Sequence, residues 1–297
     1  MRTINPSETS TKDLHQYLLG SVSPRPIAFV STMSEDGIPN IAPYSFFNCF
    51  SSNPPILVFS SNRRVSNNTT KDTLANVQHS GEVVINVVSH SIVRQMAVTS
   101  VDFDTGVNEF EKSGLTPIPS ELVSPHRIAE SPVQMECKVQ NIIPLGKEGG
   151  AGHLVICIVL RMHINEEVLD EDGKIDPHKI DLMGRMGRAF YVRASGDAVH
   201  KILQSVPEIV IGYDALPDHV KSSTTLSGNN LGQLAGLKKW PSEEEAEKFC
   251  QEKPWLDLLE GIGGYSSLEL EVKKMLDEKD ARIEASHLLQ KGYATLR

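Results

Sequence analysis

Short runs of β-branched and aromatic residues, broken by turn residues, fill the first two-thirds of the chain. Pro24 and Pro26 bracket Arg25, fixing φ at both prolines and biasing Arg25 to an extended conformation. Ile27-Ala-Phe-Val30 then predicts a strand reaching Ser31-Thr32. Glu35-Asp-Gly37 is a turn signal, so a second strand is predicted from about Ile38 to Phe47, closing a hairpin. Asn53-Pro-Pro55 punctuates the chain before a third strand, Ile56–Ser60. Lys71-Asp-Thr73 reads as a helix start, capped by Asp72 or Thr70 and running to about His79. A Val/Ile-rich strand over Glu82–Val88 follows, then a helix over Ser91–Thr99 with Ile92, Val93 and Met96 inward. Two strong β runs, Val133–Pro144 and His153–Ile164, come later, and Ser7–Leu19 reads as a short leading helix.

The pattern changes near Ala194-Ser-Gly-Asp197. From Ser242 onward Glu and Lys dominate, and Ser242-Glu-Glu-Glu245 has a capping-box arrangement. Over Ser267–Lys291, Leu270, Met275, Leu276, Ile283, Leu288 and Leu289 suit a helix face. Leu226-Ser-Gly-Asn-Asn-Leu-Gly232 is turn-rich and matches no element. Residues 1–195 are therefore expected to form a mainly β domain. Residues 196–297 are expected to form a mostly helical extension, with Trp240 and Trp255 anchoring it to the β part.

Composition narrows the function classes. The chain has 297 residues and a net charge of −9, which argues against nucleic acid or an anionic membrane surface as principal partner. No stretch approaches the roughly 20 apolar residues of a membrane span, and Met-Arg-Thr-Ile-Asn lacks an apolar signal core, so cytoplasm is the expected location. Cys49, Cys137, Cys157 and Cys250 form no Cys-x-x-Cys and read as free thiols. The ten histidines show no metal-ligand spacing, so no metal is expected. Gly146-Lys-Glu-Gly-Gly-Ala-Gly152 lacks the Gly-Lys-[Ser/Thr] order of a phosphate loop and reads as a hairpin connection. Leu169-Asp-Glu-Asp-Gly173 misses calcium-loop spacing and reads as an Asp-Gly turn.

A local basic cluster in an acidic protein points to a small anion. Ser60, Ser61, Asn62, Arg63 and Arg64 crowd one loop that leads into Lys71-Asp72-Thr73, and hydroxyls, cations and a helix N-terminus together make an anion site. Each piece alone has an ordinary reading: a solvated connection, a surface arginine, a capped helix start. Their order and short spacing favour the site.

These segments resemble a known family. Ser23-Pro-Arg-Pro-Ile-Ala-Phe-Val-Ser-Thr32, Gly37-Ile-Pro-Asn-Ile-Ala-Pro-Tyr-Ser-Phe-Phe-Asn48, Pro54–Ser60, Lys71-Asp-Thr-Leu-Ala-Asn76, Glu82–Asn86, His153–Ile156 and Asp176–Gly187 leading to Tyr191-Val-Arg193 are similar to the flavin-reductase-like, FMN-binding split-barrel family. That family includes flavoredoxins and reductase components of two-component monooxygenases. The resemblance covers about residues 12–195. It implies an antiparallel, Greek-key-like split β-barrel with peripheral helices, and noncovalent FMN at a homodimer interface.

Carried over by residue, the resemblance puts Ser31 and Thr32 toward the ribityl or phosphate end and the segment Ala42 to Asn48, with Pro43, Tyr44 and Ser45, along the ring. It gives the phosphate to Ser60, Ser61, Arg63, Lys71 and Thr73, and Arg25 and Asp72 are also expected among the cofactor-binding residues. His153, Arg185 and Tyr191 would lie near the ring face where NADH or NADPH approaches, and Phe103 and Phe110 either gate that face or pack the core. The chain departs from the family at Asn62-Arg-Arg-Val-Ser-Asn-Asn-Thr-Thr70 and at Arg188, where glycine is common. The cofactor carries the redox chemistry, so no nucleophile or carboxylate pair is required. The leading expectation is an NAD(P)H-dependent flavin reductase passing electrons to free flavin, a small acceptor or a monooxygenase partner. A flavoredoxin-like carrier and a non-enzymatic ligand-binding barrel are the alternatives.

Overall fold

A computed structural model describes residues 1–202, 209–252 and 254–296. The chain divides into two compact units, Met1–His200 and Lys201–Arg297.

In the first unit a helix, α1 (Thr11–Ser21), precedes five strands: β1 (Ala28–Met33), β2 (Pro39–Tyr44), β3 (Phe47–Ser52), β4 (Pro55–Asn62) and, after helix α2 (Asp72–Ser80), β5 (Glu82–Val87). Short helices α3 (Val93–Val98) and α4 (Glu109–Ser113) and two-residue strands β6 (Pro117–Ile118) and β7 (Arg127–Ile128) lead to the long hairpin of β8 (Val133–Pro144) and β9 (Gly152–Ile164). A small hairpin of β10 (Leu182–Arg185) and β11 (Tyr191–Ala194) ends the unit's strands.

Seven strands form one antiparallel sheet in the order β2-β1-β5-β8-β9-β4-β3. Its two edge strands, β2 and β3, are consecutive in the chain and joined only by Ser45 and Phe46. In a flat sheet those edges would stand about 29 Å apart, whereas the Cα atoms of Tyr44 and Phe47 can be separated by at most roughly 11 Å. The sheet must curl until its edges meet. The Ser60 N–H pins the link by donating to the Phe46 carbonyl at 2.8 Å, yet β2 and β3 do not pair. The result is a split barrel rather than a closed one.

Strand alternation sorts side chains between two cores. Ala28, Val30, Tyr44, Phe59, Val83 and Ile85 fill the barrel interior. Phe29, Ile41, Val88, Ile92, Met96 and Phe110 form a second layer, so β1 is buried on both faces. Phe110 is therefore a core residue and not a gate. Phe103 is half-buried, with the Lys112 ammonium 5.9 Å from its ring centroid.

Several expectations need correction. The second strand stops at Tyr44, and an unforeseen edge strand, β3, starts at Phe47. Most β3 side chains are exposed, Phe50 by 69%, so the period-two burial that signals a strand is missing. Neither Thr70 nor Asp72 caps α2: Lys71 holds the N-cap position without a side-chain cap, and Asp72 accepts from the Thr105 hydroxyl. The β8–β9 hairpin and the turn at Asp170, whose carboxylate accepts from the N–H groups of Asp172 and Lys174, match expectation. Burial pushes the Cys157 thiol up to about 12 and raises Cys137 as well, so both are unreactive.

The second unit contains α5 (Asp218–Lys221), α6 (Gly228–Ala235), α7 (Glu243–Cys250), α8 (Trp255–Gly261), α9 (Tyr265–Lys279) and α10 (Arg282–Thr295) around its own apolar core. The unassigned turn-rich stretch is the start of α6, capped reciprocally by Ser227 and Asn230; Ser242 and Glu245 make the expected box on α7. The stripe over Ser267–Lys291 is two helices, not one. Asp280 adopts φ 49° and ends α9, leaving Leu270 and Ile283 exposed while Leu276, Leu288 and Leu289 are buried. Trp240 and Trp255, expected to reach the β part, pack on this unit's own core. No described helix is long and apolar enough to cross a membrane.

A buried polar network ties β1, β2, α2 and α4. Asn40 donates to both Glu109 oxygens at 2.8 Å, and the Ile41 N–H donates to Glu109 Oε2 at 3.1 Å. Thr32 and Thr73 donate to Asn40 Oδ1, and Asn76 donates to Thr32. Burial raises the Glu109 pKa, against the opposing pull of the Ile41 N–H. From the unfolded carboxylate value, about 4.3, up through the raised folded value, the folded chain holds a proton that the unfolded chain has lost. Stability from this group therefore falls as pH rises through that window. Thermal melts of Glu109→Gln and the parent chain should diverge in the variant's favour as pH rises above the unfolded carboxylate value; a constant difference would show that Glu109 does not titrate abnormally.

Candidate functional site

The curled sheet and α1 enclose a cleft of about 740 Å³. On α1, capped by the Ser10 hydroxyl, Thr11, Leu14, His15 and Leu18 recur at helical spacing and form one wall. Phe46 from the link, Phe47, Asn48 and Phe50 from β3, and Val58 and Leu154 from β4 and β9 line the cleft as well. One end is basic: Arg63, Arg64 and Lys71 line it. Among the described residues no carboxylate lines the cleft, although the protein carries a net charge of −9.

The basic end is built by two loops. The Arg63 N–H donates to the Ala151 carbonyl at 2.9 Å, the Gly150 N–H to the Arg63 carbonyl at 3.0 Å, and Asn62 Nδ2 to the Gly150 carbonyl at 3.3 Å. Gly152 is required by this closeness: a Cβ there would lie 2.4 Å from Ser60 Oγ. The glycine-rich stretch is thus a hairpin connection that also borders the cleft.

The three cations are engaged differently. Arg63 donates through Nε to Asn68 Oδ1 at 2.6 Å and through Nη2 to the Asn68 carbonyl. Arg64 pairs with Asp102 at 3.1 Å and donates to the Thr70 carbonyl. Lys71, half-buried, makes no side-chain hydrogen bond or ion pair among the described residues; its Nζ lies 5.6 Å from the Tyr44 ring centroid. Burial lowers its pKa, with Asp102 pulling the other way. Burial pushes the neighbouring Tyr44 phenol, which faces the barrel core, up to about 12. An ammonium with no hydrogen-bond or ion-pair partner among the described residues suits an anionic group. Aromatic and aliphatic walls suit a flat apolar body.

Residues 19–180 match the model of the flavin reductase like domain. The chain belongs to this family. A protein of Aquifex aeolicus is 40% identical over 195 residues, covering 66% of this chain and 97% of the relative. Among solved structures, nitrilotriacetate monooxygenase component B from Bacillus cereus is 34% identical, with a TM-score of 0.62, over 65% of this chain and 95% of that one. The Pseudomonas fluorescens 2-nitrobenzoate 2-nitroreductase NbaA is 29% identical, with a TM-score of 0.59, over 70% and 99%.

Within this flavin-reductase-like fold the expected site residues separate into groups. Arg25, Ser45, Asn48, Ser60, Arg63 and Lys71 line the cleft. Ser31 and Thr32 lie buried on β1, Ser31 donating to the His126 carbonyl and Thr32 belonging to the Glu109 network. Ala42 and Tyr44 face the barrel core, Pro43 is half-buried on β2, Thr73 donates to Asn40, and Asp72 holds Thr105. His153 lies across from Ser61 and donates through Nδ1 to its carbonyl at 3.2 Å. Arg185 stacks over the Tyr191 ring at 4.6 Å in the β10–β11 hairpin.

Sequence reasoning missed the α1 wall and Phe50. The spacing of Thr11, Leu14, His15, Leu18 and Val22 was the available signal for α1.

Arg25 is a strut. It is 4% exposed and donates to the carbonyls of Leu19 at 2.7 Å, Val22 at 2.5 Å and Met186 at 3.0 Å. It thereby ties the C-terminal end of α1 to the Gly184-Arg-Met-Gly187 stretch, where Gly187 approaches Gly20 so closely that a Cβ would sit 3.2 Å from the Gly20 Cα. Arg25→Ala should lower stability by about 2–4 kcal/mol in denaturant titrations, by leaving three carbonyls unpaired. Arg25→Lys should not rescue it, because one ammonium lacks the planar fork; full rescue would show that charge alone matters.

Proposed function

We propose that the cleft binds FMN, and that the protein is an FMN-dependent oxidoreductase reduced by NADH or NADPH that passes electrons to free flavin or another small acceptor. The observation that carries this reading is Lys71, unpaired among the described residues, at one end of an aromatic-walled cleft that no described carboxylate lines. Lys71 and the remaining donors of Arg63 and Arg64 would hold the phosphate, and Phe46, Phe47 and Leu154 would bound the ring. Bound FMN supplies two-electron redox chemistry. The chain's own task is to orient the ligand, exclude water and supply N–H and hydroxyl donors from the Ser45–Asn48 link.

The names of two similar structures support an oxidoreductase role, one being a monooxygenase component and the other a nitroreductase. A monooxygenase partner therefore belongs to this reading. So does a homodimer: Phe50, Leu160, Met162 and Ile164 are 69%, 43%, 49% and 37% exposed on β3 and β9, a surface suited to a second copy.

Purified protein should show flavin absorbance or bind added FMN, and anaerobic addition of NADH or NADPH should bleach it. Protein that binds no FMN would end the proposal; FMN that neither nicotinamide reduces would move the reading to a flavoredoxin-like carrier. Lys71→Ala should weaken FMN binding by about 1–3 kcal/mol in a fluorescence titration. An unchanged affinity would remove Lys71 from the phosphate role.

A further inference from the structure

The N-terminal helix offers chemistry that the proposed flavin site does not use. No residue of α1 is buried, so the helix contributes no fully packed side chain to either core of its unit. Its apolar stripe instead faces the cleft, with Leu18 still 50% exposed, and the helix is fastened at its C-terminal end through Arg25. A wall of this kind shapes what enters.

His15 is the titratable side chain on that wall. Its ring lies 6.2 Å from the Phe46 ring at an interplanar angle of 55°, and its nitrogens make no hydrogen bond among the described residues. The other bases lining the cleft are placed otherwise. Arg25 serves backbone carbonyls and Ser45, while Arg63, Arg64 and Lys71 form the basic end. An imidazole without a hydrogen bond among the described residues, beside an aromatic ring in a cleft that no described carboxylate lines, is a recognition group for a flat molecule carrying an acidic or otherwise hydrogen-bond-accepting substituent.

We propose that His15 is a specificity-determining residue for the second ligand of the cleft, the electron acceptor, and that it selects planar aromatic acceptors bearing an anionic substituent over their uncharged parents. The assignment rests on the flavin reading above. Leu14 and Leu18 hold the ring of the acceptor, and His15 meets its charged group. Uncharged rings still enter, because the apolar walls do not depend on the imidazole.

The test uses the full chain saturated with FMN and compares a sulfonated naphthoquinone with its unsulfonated parent as acceptors. His15→Ala should raise KM for the sulfonated quinone about tenfold, the size of one charge-assisted hydrogen bond. Its kcat, and both constants for the parent quinone, should stay within about twofold. His15→Lys should restore the preference, since it again presents an N–H donor from the same helix face. Binding of naphthalene sulfonate, followed by calorimetry, should weaken in parallel without any turnover. Equal changes for both quinones, or no change for either, would overturn the role of His15. FMN affinity is titrated on every variant: a loss confined to His15→Ala would place His15 in the flavin site instead and also overturn it. Failure of the parent chain to bind FMN would sink the flavin reading separately.

Discussion

Two residues between the edge strands of a seven-stranded sheet constrain everything else in the first unit. Because Ser45 and Phe46 must bridge strands that a flat sheet would hold far apart, the sheet has to roll up, and the roll creates an interior. The edges come together without pairing, so the barrel stays split. The link and the exposed β3 next to it become one wall of the cleft. Fold and site therefore share one cause.

Polar groups buried by that curl divide into satisfied and unsatisfied sets, and the division marks where structure ends and binding begins. Thr32, Asn40, Thr73, Asn76 and Glu109 satisfy one another across four elements. A few residues away, the Lys71 ammonium has no hydrogen-bond or ion-pair partner among the described residues. An anionic ligand in the cleft would supply one. Arg25 shows the opposite case: a cation beside the cleft whose donors are already occupied by backbone carbonyls and Ser45.

The helical unit lies outside the matched family region and has its own core. The matched family region ends at residue 180, and the Aquifex aeolicus relative covers 66% of this chain while being matched over 97% of its own length. The second unit has a separate core built from α6, α9 and α10, with Leu234, Leu268 and Leu288 fully buried. Its boundaries were partly legible, since Ser242 and Glu245 announce a capped helix in sequence alone. The break at Asp280 was not, because a left-handed aspartate leaves no periodic trace.

Local chemistry alone determined much: the strands of β-branched residues, the Gly37 and Asp170 turns, the β8–β9 hairpin with its glycine connection, and a basic loop beside a helix start. Those features depend on φ restriction, side-chain alternation and composition, all of which act over a few residues. Which of the neighbouring polar residues face a ligand was decided only in three dimensions. Ser60 and Ser61 are adjacent, yet one lines the cleft and the other is buried behind it, because successive strand side chains point to opposite faces. Arg25 and Lys71 are both cations near the cleft, and only the path of α1 makes the first a strut and leaves the second unpaired.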